Sequence, residues 1–218
     1  MADWVTISSL ATAGGTLVLA TATFASVRSA NRSARVAEMA LQEQRRPLLV
    51  QSRSEDAAET TGFADGRRVR IPGGGSAVDA TPDAVYLAIS LRNVGAGIAV
   101  LQSWRANSMP QPEEGWRQSV VAGSAPPTLD DFRPLRRDQY VASGDVGIWQ
   151  GVVRDPADPM HAELTAAVTA EHRFMVDLLY TDQVGGQRTI SRFGVIPAEE
   201  GWVAAAARHW YLDAPAPR

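Results

Sequence analysis

Three histidines and a few paired carboxylates are the side chains here whose types suit metal or acid–base chemistry, and their spacing argues against both. His161 and His172 stand eleven positions apart with Glu163 and Glu171 beside them, which is neither an HExxH helix face nor a short ligand spacing. His209 lies beside Trp210 near the end of the chain and reads as a packed histidine. Glu113-Glu114 and Asp130-Asp131 are neighbours in sequence, which suits solvated loop acids better than two carboxylates converging across a cleft. Gly73, Gly74 and Gly75 lack the Gly-Lys-Ser/Thr of a phosphate loop, so "GGGS" reads as a flexible turn. All 21 basic residues are arginine, so no lysine exists to complete such a loop. No serine sits in a GxSxG elbow. The chain has no cysteine, which rules out disulfides and thiolate ligands. These patterns point to no catalytic residue, no cofactor and no metal.

What remains is the chemistry of contact. The stretch from Arg105 to Pro134 carries Trp116, Asp130, Asp131 and Phe132 among prolines and acids, and is a candidate interaction loop for an unidentified protein partner. From Pro47 onward 16 arginines face 21 acids. That mildly acidic balance gives no footprint for nucleic acid.

The strongest physical signal lies before Pro47. Trp4 to Val27 is 24 positions without charge or proline, and a helix rising about 1.5 Å per residue crosses a hydrocarbon core of about 30 Å at that length. Residues 4–27 are therefore expected to span a membrane. Only Asp3 precedes the run, whereas Arg28, Arg32, Arg35, Arg45 and Arg46 come after it. A signal peptide would carry its positive charge in front. Arginines after the span hold that flank in the cytoplasm, so the N-terminus is expected outside and the main domain in the cytoplasm of the cell membrane. Contact with anionic head groups would add about 1 kcal/mol per arginine.

No glycine or proline interrupts residues 28–46, so the span should continue as a juxtamembrane helix that stops before Pro47. Ser8, Thr12, Thr16 and Ala20 form a small-xxx-small row, the spacing that lets membrane helices approach closely. Val27, Ala30, Ala34, Ala37 and Leu41 have the spacing of a coiled-coil seam. Both patterns make the anchor a candidate for self-association into a homo-oligomer.

Beyond Pro47 the period changes from helix to strand. "VYLAISLRNVGAG" alternates Val85, Leu87, Ile89 and Leu91 against polar or small neighbours and ends in a glycine bend. "FMVDLLYTDQVGGQRTISRFGVI" reads as a hairpin turning at Gly185-Gly186. With "PLLVQSR", "RRVRIP", "IAVLQSW", "DVGIWQGVV" and "GWVAAAARHWYLD", seven to nine short strands result, and only "PMHAELTAAVTAEH" looks helical. Residues 54–83 and 105–134 read as long connections. The expected class is mainly β: an N-terminal transmembrane helix, then over 47–213 an antiparallel immunoglobulin-like sandwich with one short helix. Residues 214–218 read as a disordered tail.

The run "QEQRRPLLVQ" after an N-terminal span, with "YLAISLRNVGAGIAVL" and "YTDQVGGQRTISRF" after it, resembles small actinobacterial single-pass membrane proteins with a soluble immunoglobulin-like β domain. That resemblance covers most of the chain and implies an anchored module. It implies no activity and carries over no site residue.

Overall fold

The computed structural model describes residues 4–108 and 125–213 and separates the chain into two units, Met1–Gln44 and Arg45–Arg218. The first unit is one helix, α1 (Trp4–Gln44), as the unbroken pattern predicts. Every side chain from Ser8 to Gln42 is exposed. Its best 18-residue window has mean hydropathy 1.5, so by length and composition it can cross a membrane. The helix stops at Gln44, so Arg45 and Arg46 belong to the second unit rather than to the juxtamembrane helix.

The second unit is mainly β. In chain order it comprises β1 (Leu49–Gln51), β2 (Glu59–Gly62), β3 (Arg68–Ile71), β4 (Gly75–Thr81), β5 (Ala84–Asn93), β6 (Ala99–Ser108), β7 (Arg133–Val141), β8 (Val146–Val153), α2 (Pro159–Thr169), β9 (Phe174–Thr181), β10 (Thr189–Ala198) and β11 (Gly201–Tyr211). Nine strands join into one antiparallel sheet in the order β1-β5-β4-β11-β10-β9-β6-β7, with β8 on the other side of β5. The sheet curls so that its two edges, β7 and β8, approach each other without hydrogen bonding. Among the described residues, the mainly β class and the single short α-helix of this unit match the sequence pattern. The immunoglobulin-like arrangement of two sheets is not established by this strand order.

The core arises from strand periodicity. Val85, Leu87, Ile89 and Leu91 of β5 face inward with Val176, Leu178 and Tyr180 of β9, Trp104 of β6 and Trp149 of β8. The Trp104 and Trp149 rings meet edge to face at 5.2 Å. Helix α2 starts at Pro159 behind Asp158, whose carboxylate accepts the Met160 N–H at 3.0 Å, and it drives Leu164 and Ala167 into the same core.

Three expectations change here. Residues 54–83 are not a long connection, because β2, β3 and β4 occupy them. The β2–β3 hairpin lays Phe63 and Ile71 over the outer face of β5, against Ala88 and Tyr86, so both faces of β5 are covered. Gly73 and Gly74 are not a free turn. A Cβ on Gly73 would collide with the carbonyls of Arg53 and Asp56, and Gly74 has φ +69°. The region before Pro134 is also shorter than expected, since β6 runs on to Ser108 and a 3-10 turn forms at Leu129–Asp131.

Candidate functional site

Three places gather the residues that sequence reasoning singled out. The first is one face of α1. At about 100° per residue, positions 28, 32 and 35 project within about 60° of one another, and Phe24, Val27, Arg28, Asn31, Arg32 and Arg35 line a common surface. By the same geometry Ser8, Thr12 and Thr16 of the small row and Ala30, Ala34, Ala37 and Leu41 of the seam lie on the opposite side, while Ala20 and Val27 lie between the two faces. The threonine hydroxyls are already engaged: Thr12 donates to the Ser8 carbonyl at 2.9 Å and Thr16 to the Thr12 carbonyl at 2.8 Å. A neighbouring helix would therefore meet them as acceptors and as small surfaces rather than as free donors.

Arg46 does something else. Its Nε donates to the Gln187 side-chain oxygen at 3.0 Å, and its guanidinium lies 4.4 Å from the centre of the Tyr211 ring. It is built into the β unit.

The second place is a row of charges across four strands, registered as Arg105 on β6, Asp177 on β9, Arg192 on β10 and Arg208 on β11. Asp177 projects from the face opposite Val176 and Leu178 and is nonetheless fully buried. Arg192 grips it through Nε at 2.6 Å and Nη2 at 2.8 Å, and Arg105 Nε donates to it at 2.8 Å. The guanidinium of Arg192 stacks 4.8 Å from the Trp210 ring. Two residues of the candidate loop join this row: Asp131 accepts from Arg105 Nη1 at 3.1 Å, and the Phe132 ring lies 5.9 Å from the same guanidinium. Asp130 is exposed and makes no ion pair among the described residues. Trp116, with Glu113 and Glu114, lies outside the described residues, as does the tail 214–218.

Sequence reasoning missed Asp177 and Arg192. The signal was a lone charge inside each of two apolar runs, "FMVDLLY" and "TISRFGV", where a strand that is covered on both faces must pair any charge it carries.

The third place is a chain of hydroxyls inside the sheet. Tyr180 Oη lies 2.7 Å from Ser191 Oγ, which lies 2.7 Å from His209 Nδ1, and the Leu49 N–H donates to Tyr180 Oη at 3.1 Å. Burial pushes the Tyr180 phenol up to about 12 and lowers the His209 imidazole from its ordinary value. A serine beside a histidine resembles a nucleophile with its base. Ser191 is fully buried, however, and the hydrogen-bonded chain ties β1, β9, β10 and β11 together. His209 is a packed histidine, as its neighbours indicate. His161 is buried on α2 and His172 is exposed beyond it.

The fold and these sites define a mainly β chain preceded by one long apolar helix near the N-terminus. Comparison with known protein families, curated proteins and solved structures finds no match to the chain.

Proposed function

We propose that this chain is a single-pass membrane protein whose β unit serves as an interaction or scaffolding module in the cytoplasm, with the N-terminus outside. One observation carries the reading: α1 exposes every side chain from Ser8 to Gln42, at a mean hydropathy of 1.5 in its best window, and has Arg28, Arg32 and Arg35 on one face after the apolar stretch. An apolar helix of this length left bare in water would be costly, and a bilayer removes that cost. The arginines after the span favour the cytoplasmic side for the β unit. The β unit offers its partner the edge of the charged row, where Asp131 and Phe132 stand beside Arg105. The anchor pairs with a second copy through Ser8, Thr12, Thr16 and Ala20.

Alkaline extraction of membranes tests the anchoring. The full chain should stay in the pellet, and a variant lacking residues 4–27 should move to the supernatant. Release of the full chain by alkali would contradict the reading.

A further inference from the structure

The place where the curled sheet fails to close forms a cleft that none of the sites above uses. Its two walls are the edge strands β7 and β8, each hydrogen bonded on one side only, β7 to β6 and β8 to β5. They are in contact near the turn that joins them, where a Cβ on Gly147 would lie 2.8 Å from Val141 Cγ2. Away from that turn they diverge. Between Leu101 and Ser103 of β6, the register of β7 jumps from Gln139 to Pro134, so residues 135–138 arch out of the sheet.

The cleft so opened has a volume of about 220 Å³ and reaches down to Trp104. Gly151 of β8 sits beside the indoles: a Cβ there would lie 2.7 Å from Trp149 Cζ2 and 3.0 Å from Trp104 Cζ2. In the opposite wall Gln139 Oε1 is buried with no hydrogen-bond partner. A buried acceptor left unpaired costs free energy that the N–H of a bound amide would recover.

Charge sets the chemistry of the occupant. Arg133, Arg136, Arg137 and Arg154 line the cleft, and no lining residue carries a carboxylate. Arg133 is paired with Asp158 and Arg154 with Asp65, while Arg136 and Arg137 make no ion pair among the described residues. The one acid of the arch, Asp138, accepts a hydrogen bond from Tyr140 at 3.1 Å. The volume falls below the roughly 300–1,000 Å³ of small-molecule sites and suits one inserted side chain of a longer ligand. Two unpaired strand edges favour main-chain hydrogen bonding to an extended segment.

We infer that the β7–β8 seam is a docking groove for an extended, acidic segment of a partner protein, which adds to a strand edge, sets one apolar side chain over Trp104 and places carboxylates against Arg136 and Arg137. This deepens the reading of the β unit as an interaction module and rests on it, without depending on the anchor. The test uses the full chain in detergent, so its failure is distinguishable from a failure of membrane anchoring.

The probe is a dye-labelled peptide of alternating glutamate and valine with one central tryptophan, and its binding is read by fluorescence anisotropy. The parent should bind it, and the Arg136→Gln/Arg137→Gln variant, altered only at exposed positions, should bind about tenfold more weakly. Methylation of alternate peptide amides should abolish binding, because it removes the main-chain donors. Equal affinity of parent and double variant, equal binding of the methylated peptide, or equal binding of a lysine-for-glutamate peptide would each overturn the inference. So would binding seen only after residues 109–124, which carry Glu113, Glu114 and Trp116, are replaced by glycine and serine, since the chain itself would then occupy the groove.

Discussion

Asp177 and Arg192 face each other across β9 and β10 in a two-pronged ion pair, with Nε and Nη2 of the arginine 2.6 and 2.8 Å from the two carboxylate oxygens. Fifteen residues separate them in sequence, and Arg105, another 72 positions from Asp177, completes the clamp. The carboxylate is fully buried, so it persists in the sheet only because two guanidinium groups compensate for the water it has lost.

Removing that charge should therefore be costly. Asp177→Asn leaves two largely buried arginines facing a neutral amide, and a loss of about 3–5 kcal/mol is expected for breaking a buried pair from one side. Urea unfolding monitored by tryptophan fluorescence measures it. A loss under about 1 kcal/mol would show that solvent screens the row as it does a surface pair.

Asn93 is the second structural dependency. Its side-chain oxygen accepts the N–H groups of Leu48 and Gly95 at 3.1 and 3.0 Å, and its amide donates to the carbonyls of Gly97 and Val141 at 2.7 and 2.9 Å. Asn93→Ala should cost about 1–3 kcal/mol by leaving buried backbone groups unpaired. Amide hydrogen exchange at Leu48 and Gly95 should accelerate in that variant. Unchanged protection at both would contradict the role assigned to Asn93.

Much of this fold was legible in the sequence where one local rule governs. The alternation of β5, the Gly185-Gly186 turn between β9 and β10, helix α2 behind Asp158 and the unbroken α1 all arise from periodicity or capping. The strands that escaped are short or polar. β2 reads "ETTG", and β7 reads "RPLRRDQYV" with an arch that destroys its period. Their placement depends on contacts made elsewhere, such as Phe63 and Ile71 covering the outside of β5. The charged row was illegible for the same reason, since strand register, and not spacing, brings Arg105, Asp177 and Arg192 together.

The His209 imidazole predicts a pH dependence. Burial lowers its folded pKa below 6.5, so the unfolded chain binds a proton there that the folded chain resists. Stability is then fully present above about pH 6.5 and declines as pH falls below it, before most carboxylates titrate. His209→Gln should flatten the decline that begins below about pH 6.5. Identical pH profiles for parent and variant would refute the assignment.

The proposed self-association of α1 would rest on close approach at Thr16, whose hydroxyl is engaged within its own helix. Thr16→Leu keeps the helix apolar but adds bulk to the small row. Energy transfer between labelled full-length copies in bilayers should fall in Thr16→Leu and hold in Leu17→Ile. Equal transfer in both, or none in the parent, would make α1 a monomeric anchor.

The measurement that tests the central claim uses the chain's lack of cysteine, which makes any single introduced thiol a unique topological marker. Val184→Cys places one at a position 65% exposed on the β unit, and Ala2→Cys places one ahead of the apolar run. Intact cells producing each variant are treated with a membrane-impermeant maleimide, before and after permeabilisation. A membrane protein with its N-terminus outside and its β unit in the cytoplasm predicts labelling of Ala2→Cys in intact cells, and of Val184→Cys only once the membrane is opened. Labelling of Val184→Cys in intact cells would place the β unit outside and contradict the account.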